Sequence, residues 1–341
     1  MKIVITCNHY LPVMGGTIQY IVMLAPEFIR QGHEVKVVTR TRETHPTDSE
    51  VPFEVIRGPS RKKISELADW GDVVLQVEVS LTTMLPFLLK GKAYVPTLHA
   101  GYPLAGLKGK AKLMRWLQRC SLRLGHPIGV SKWVLDSWGG YGISILNPVD
   151  STIFKLPPEN SPRDVDVLYV GRMNHAKGVY LLIEALVQLA AEGLVRRAVF
   201  VGEGTAIPDL TARISEAGLT EAIQLAGRAD TKGVASWMQR SRVLAFPTTP
   251  AWLEASPLTL LEALSCGCEV VASDIGGVAE TGGGFIRLVK SGDPDDLLKG
   301  LRKTLMGDCV RRAGIEDYLG PQSIPEVTAR YIKVMKSITK R

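Results

Sequence analysis

Residues 253–268 read LEASPLTLLEALSCGC, and the reading of the whole chain works outward from them. The stretch predicts a short helix with both ends written in. Ser256 carries a hydroxyl that can accept from a free N–H of the first turn. Pro257 suits a first helical position, where a missing N–H costs nothing. Leu258 to Cys266 supply the turns, and Gly267 is a fitting stop. Glu254 lies just before the helix, and Glu262 lies inside it among Leu258, Leu260, Leu261 and Leu264. A helix start offers unpaired N–H groups to an anion, and carboxylates on either side accept hydrogen bonds from hydroxyls. That combination suits phosphates in the middle and polyols at both ends. The competing reading is two solvated glutamates, because charged side chains are mostly exposed.

At 341 residues the chain has room for two domains of ordinary size, and its 45% hydrophobic content provides a core for each. Residues 1–7 already read as a buried strand, so no signal peptide is expected. The apolar run from Val79 to Leu89 is broken by Ser, Thr and Pro and is too short to span a bilayer. Five cysteines lack metal-ligand spacing, and Cys266 and Cys268 are one residue apart. Free thiols in a reducing cytoplasm are expected. The net charge of +7 favours anionic partners: nucleotides, phosphates or an acidic lipid surface. No zinc finger, RNA-binding aromatic motif or basic heptad segment is present, which argues against nucleic acid.

Taken in order, KIVITCNHY predicts a strand, LPVMGG a loop, and Thr17 a cap for a helix running to about Gln31. Ile18, Ile21, Val22, Ala25, Phe28 and Ile29 form its apolar stripe. Pro26 within that stripe predicts a kink or a late start. HEVKVVTR is the next strand, so the chain opens with a strand-helix-strand unit of a parallel sheet. Gly15 and Gly16 fall between strand and helix, where a ligand can approach the backbone, or where the chain simply turns. No G-x-G-x-x-G is present, which argues against a dinucleotide-binding oxidoreductase. The strands PFEVIRG, DVVLQV and AYVPTLH follow, with His99 at the end of the last. Ligands of open parallel sheets bind outside the carboxyl ends of strands, so His99 is either a ligand contact or a histidine tucked against the core.

Lys108 to Leu124 predicts an amphipathic helix. Lys108, Lys112, Arg115 and Arg119 share one face, and Leu113, Trp116, Leu117, Cys120 and Leu124 share another. Either it rests its apolar face on the core, or it lies on an anionic membrane or docks a pyrophosphate-bearing molecule. Asn147 to Asp150 and the following LPPENSPRD read as an inter-domain linker. The second half then restarts the pattern: strand DVDVLYVG, loop RMNHAKG, and helix VYLLIEALVQLAAEGL. Lys177 sits at or just before that helix start, where the dipole opposes a cation by about 0.3–1 kcal/mol. An anion held between Arg172, Lys177 and the free N–H groups reverses that penalty; otherwise the two are solvated charges. Asp293 or Asp295 caps a later helix, and the tail PQSIPEVTARYIKVMKSITKR is a further helix candidate.

Glu254 and Glu262, with seven residues between them that include Pro-Leu-Thr, resemble the signature of glycosyltransferase family 4. The pair Gly171-Arg172, four residues, Lys177-Gly178 is similar to that family's diphosphate-binding pair, and residues 147–150 to its Asn-Gly-Val-Asp junction. The family commonly has Gly and an aromatic after the first Glu, where this chain has Ala255 and Ser256, and an Asp after the His, where it has Ala100. The resemblance implies an α/β GT-B fold: two doubly wound Rossmann-like domains facing across a cleft. It places an acceptor-side domain over 1–153, a nucleotide-sugar domain over 154–320, and a helix over 321–341 that crosses back. It implies a retaining, metal-independent hexosyltransferase using a UDP-sugar, with no cofactor and with a saccharide or lipid-linked acceptor. Arg172 and Lys177 neutralise the diphosphate, helped by the N–H groups of Leu258 and Thr259. Glu254 holds the sugar, Glu262 the ribose, and Arg228 neighbours the base. His99, Gly15 and Gly16 complete the site from the first domain. A cytoplasmic enzyme, touching the membrane through Lys108–Leu124, fits this picture. A nucleotide-sugar epimerase and a non-catalytic binding subunit remain as rivals.

Overall fold

The computed structural model describes residues 1–13, 15–102, 107–310 and 312–339. Met14 of the LPVMGG loop and the last two residues of the tail therefore lie outside the described residues. The chain divides into two compact units, 1–148 with 321–341, and 149–320.

The first unit runs β1 (Lys2–Cys7), α1 (Gly16–Arg30), β2 (Glu34–Thr39), β3 (Glu54–Arg57), α2 (Arg61–Trp70), β4 (Val73–Val77), α3 (Leu81–Leu89) and β5 (Ala93–Leu98). It continues through α4 (Gly109–Ser121), β6 (Ile128–Gly129), α5 (Lys132–Trp138) and β7 (Ile143–Ser144). All its strands are parallel, in the order β3-β2-β1-β4-β5-β6-β7. Parallel strands covered by helices on both faces read as near-continuous apolar runs. In β1, Ile3, Ile5 and Cys7 join the core that includes α1, whereas Val4 joins the core beneath α2 and α3. The alternation follows from the two-residue period of a strand.

Helix α1 starts at Gly16 with Gly15 as its N-cap, so Thr17 is not the cap. It runs unbroken through Pro26, neither starting late nor dividing there. Its inner face buries Ile18, Ile21, Leu24, Ala25 and Phe28. Truncating a fully buried phenylalanine such as Phe28 costs about 3–5 kcal/mol. The apolar run around residues 79–89 is helix α3, which the sequence reading did not assign.

The second unit runs β8 (Val165–Val170), α6 (Val179–Ala191), β9 (Ala198–Val201), α7 (Ile207–Glu216), β10 (Ile223–Gly227), α8 (Thr231–Gln239), β11 (Ser241–Phe246) and α9 (Leu258–Ser265). Then come β12 (Glu269–Asp274), α10 (Val278–Gly282), β13 (Arg287–Lys290), α11 (Pro294–Leu305) and α12 (Ile315–Leu319). Its sheet is parallel in the order β10-β9-β8-β11-β12-β13. Asp293 caps α11 by accepting from the Asp296 N–H. Val149 and Phe154 are buried in this unit's core, so the expected linker is anchored at its start. The tail forms α13 (Ile324–Thr339), which packs Val327, Tyr331, Ile332 and Met335 into the core of the first unit. Among the described residues, no helix is long and apolar enough to cross a membrane.

Candidate active site

In both sheets the strand order reverses direction beside the first strand, and ligands of doubly wound folds bind at that switch point. In the second unit it falls between β8 and β11. The loop leaving β8 carries Arg172 and Lys177; the loop leaving β11 carries Glu254. Asn174 caps a single 3-10 turn over His175–Lys177, its Oδ1 accepting from the Lys177 N–H at 3.1 Å. Gly178 follows with φ +71°, and a Cβ there would lie 1.8 Å from the Pro247 carbonyl oxygen. Only glycine allows the two loops to pass this closely. The Thr249 N–H and hydroxyl both donate to the Ala176 carbonyl, at 3.0 and 3.1 Å, and fasten the loops together.

This crossing sets the side chains. Lys177 Nζ donates to Glu254 Oε1 in an ion pair whose members are both largely buried. Thr248 Oγ1 donates to the same oxygen at 2.9 Å. Oε2 of Glu254 has no partner among the described residues. The Arg172 guanidinium lies 4.7 Å from the Trp252 ring centre, and Lys177 Nζ lies 5.0 Å from it. One indole thus steadies both cations by its ring quadrupole. The Glu254 backbone is held from the other side: its carbonyl accepts from the Gly277 N–H at 2.8 Å, and a Cβ on Gly276 would meet that oxygen at 2.1 Å.

Helix α9 begins one residue later than expected. Its N-cap is Pro257, no side chain caps it, and Ser256 instead accepts from Thr281 Oγ1 at 3.2 Å. Pro257 is already extended at φ −66°, ψ 118°, so the helical turn starts at Leu258. The consequence favours an anion, because the N–H groups of Leu258 and Thr259 have no partner among the described residues. At the other end Gly267, at φ +79°, closes the helix: its N–H reaches the Leu264 carbonyl and that of Cys268 the Ala263 carbonyl. Glu262 projects from α9 with no ion pair or hydrogen bond among the described residues, and burial pushes its carboxyl up to about 7.

Arg172, Lys177, Glu254, Leu258, Thr259 and Glu262 therefore all lie on the two loops and the helix that leave β8 and β11. Arg228 stands apart, exposed just past the end of β10. His99, Gly15 and Gly16 belong to the first unit. His99 packs edge-to-face on Tyr20 at 4.5 Å, with Nε2 3.0 Å from Thr97 Oγ1, and burial pushes its imidazole down to about 3. It is thus neutral at physiological pH. Gly15 and Gly16 leave open space where a side chain would stand. A cavity of about 700 Å³ beside α6 is lined by His175, Tyr180, Glu184, Arg213 and Thr249, and by none of the predicted site residues. Among the described residues, no three His, Cys, Asp or Glu side chains are grouped to hold a metal ion.

The sequence reading missed Thr248, Trp252, Asn174 and the Gly276 contact. Asn174 was detectable as a cap three residues before Lys177; Trp252 and Thr248 act only through the fold. Helix α4 does not rest its apolar face on the core. Arg115 lies 5.5 Å from the Trp138 ring and Arg119 5.8 Å from that of Tyr102, so the basic face is the one with partners. Leu113, Met114, Trp116, Leu117 and Leu124 are exposed, Trp116 at 56%. The five cysteines are free thiols.

Residues 164–306 match the family described as Glycosyl transferases group 1. A D-inositol 3-phosphate glycosyltransferase of Jonesia denitrificans is 22% identical over 346 residues, covering 81% of this chain and 81% of its own. A 2-deoxystreptamine glucosyltransferase of Streptomyces kanamyceticus is 32% identical over 130 residues, 38% of this chain and only 32% of its own length. Among solved structures, Anabaena Alr3699/HepE in complex with UDP superposes with a TM-score of 0.75 at 18% identity, covering 100% of this chain and 99% of that one. The fold is that of the GT-B glycosyltransferases.

Proposed function

We propose, from a second unit that belongs to the glycosyl transferases group 1 family, that this chain is a retaining family 4 enzyme moving a hexose from a UDP-sugar to a hydroxyl acceptor. The observation that carries the reading is the arrangement at the β8–β11 switch point. Two cations share one indole, one of them is paired with Glu254, and the loops that carry them leave the same two strand ends as the uncapped start of α9. The UDP complex of Alr3699/HepE supports uridine as the base.

In this mechanism the diphosphate lies between Arg172, Lys177 and the start of α9. The bond from the anomeric carbon to the phosphate oxygen breaks, and its electron pair goes to that oxygen. The cations and N–H groups stabilise the growing charge without rearranging. Glu254 Oε2 accepts from the sugar hydroxyls while Oε1 stays on Lys177 and Thr248. Glu262 accepts from the ribose. The acceptor oxygen bonds to the anomeric carbon on the face the diphosphate leaves, and its proton passes to a phosphate oxygen. No nucleophilic side chain and no metal ion is required.

A thermal-shift panel of UDP-, GDP- and ADP-sugars tests the donor, since a ligand that binds only the folded state raises the melting temperature. Selective stabilisation by a UDP-sugar, and transfer that persists in excess chelator, are expected; a trapped glycosyl-enzyme adduct overturns the same-face mechanism. Turnover with no acceptor present points to the epimerase, and binding without UDP release to a non-catalytic subunit. The acceptor proposed is a saccharide or lipid-linked oligosaccharide, on the inner face of the membrane. Helix α4 favours it: exposed Leu113, Trp116 and Leu117 beside Lys108, Lys110 and Lys112 suit the interface of an anionic bilayer. Sedimentation with phosphatidylglycerol vesicles, weakened in Trp116→Ala with Leu117→Ala, is the check.

A further inference from the structure

Strand β5 ends at Leu98, with Thr97 inside it and His99 just beyond. The geometry points to Thr97 as the residue that sets the His99 proton: the ring is held protonated on Nε2, with Nδ1 left as a bare acceptor. Tyr20 and Tyr331 fix the plane in which that ring stands. Only the use of Nδ1, to accept from a hydroxyl of a bound sugar, rests on the glycosyltransferase reading; the tautomer stands on the first unit alone.

A threonine hydroxyl has one hydrogen and two lone pairs. Thr97 Oγ1 donates its hydrogen to the Gln76 carbonyl at 3.4 Å, and that oxygen can only accept. His99 Nε2 lies 3.0 Å from the same Oγ1. With the hydroxyl hydrogen committed, the ring supplies the one between them, so Nε2 carries the proton. The opposite assignment turns the Thr97 hydrogen to Nε2 and leaves its lone pairs facing the Gln76 oxygen. Thr97 is wholly buried, where such a contact is poorly screened. Gln76 cannot easily move away: its side chain accepts from Tyr94 at 2.9 Å and from the Ser80 N–H at 3.0 Å, and donates to the Ser80 carbonyl at 3.1 Å.

A neutral imidazole has a single N–H, and burial keeps this ring neutral by pushing it down to about 3. Nδ1 therefore bears no hydrogen, and it has no partner among the described residues. The group facing it must donate, which a sugar hydroxyl does and a phosphate or carboxylate oxygen does not. The ring plane is set from the other side. Tyr20 meets His99 edge-on at 4.5 Å, and Tyr331 of the tail helix α13 meets Tyr20 at 5.9 Å. Both tyrosines are almost wholly buried, so the last helix of the chain holds the ring through packed aromatics.

The experiment is two-bond proton–nitrogen correlation NMR of the imidazole rings in the full chain without ligand, with His99 assigned by its loss in His99→Gln. Protonated and bare ring nitrogens give different patterns. The expected result is Nε2–H throughout from about pH 8 to about pH 5. Thr97→Val should admit the other tautomer, and Thr97→Ser should restore the wild-type pattern. Tyr331→Leu should broaden the His99 signals as the ring gains freedom. Melting temperatures show whether each variant is folded, and the wild-type spectrum decides the tautomer even where one is not. A wild-type ring protonated on Nδ1, or His99 signals unchanged in folded Thr97→Val or Tyr331→Leu, overturns the inference. Release of UDP from UDP-glucose is the second readout: Thr97→Val should slow it about tenfold and Thr97→Ser should not. An unchanged rate in Thr97→Val overturns the use of Nδ1. No UDP release by the wild type counts against the donor reading and leaves the NMR result standing.

Discussion

The two switch points share a strand order and differ in how their cations are held. Between β8 and β11, Lys177 is tied to Glu254 and stacked on Trp252 with Arg172. Between β1 and β4, Arg40, Arg42 and Arg61 line a cavity with no ion pair among the described residues. The same backbone topology turns at the same place in each unit, but the side chains there differ. A preorganised, partly dry cluster suits charge that develops during a reaction.

Substitutions can break or sharpen that contrast. The largest effect is expected for Lys177→Ala, which removes the proposed diphosphate contact and leaves Glu254 buried with only Thr248. Transfer rate should fall about 10²–10³-fold, and unfolding in denaturant should show a loss of about 3 kcal/mol. If the variant keeps its rate, the second switch point is no more specialised than the first. Trp252→Ala should leave the fold intact and slow transfer about tenfold, since each cation loses about 0.5–1 kcal/mol of stacking and its fixed position.

Glu262 sharpens the comparison through pH. Its carboxyl has an ordinary value of 4.5 and is pushed up to about 7 by burial. Over that window the folded chain keeps a proton that the unfolded chain releases. The favourable contribution is full below 4.5 and is lost as pH rises through about 7. Glu262→Gln should flatten that fall and raise stability at alkaline pH by about 1–3 kcal/mol, while weakening UDP binding. A parallel loss of stability and binding would make Glu262 a structural residue. The smallest effect concerns His99, whose imidazole should give ring proton signals that do not titrate between about pH 8 and about pH 5; a titration near 6.5 would contradict its burial.

Much of this was legible in the residues. The spacing of Arg172, Lys177 and their glycines, and of Glu254 and Glu262, identified the elements that carry the second switch point. Apolar runs and glycine stops located β1, β2, β4, β5, β8 and β11. The start of α9 was misplaced by one residue, because a Ser-Pro pair reads equally well as cap and first turn. In α4 the two faces were drawn correctly, but the apolar one does not pack on the core. Periodicity says which residues share a face, not which face meets protein, and here Arg115 and Arg119 lie over the rings of Trp138 and Tyr102.

Local chemistry thus settled the strand-helix alternation, the helix stops and the charged pairs, because propensity and periodicity act over a few neighbouring residues. The Lys177–Glu254 pair, the stacking on Trp252, the exposed apolar face of α4 and the cavity holding Arg40, Arg42 and Arg61 were decided only in three dimensions. Each joins residues far apart in sequence, and each depends on close backbone approaches, such as Gly178 to Pro247 and Gly276 to Glu254, that arise when the sheet order brings two strand ends side by side.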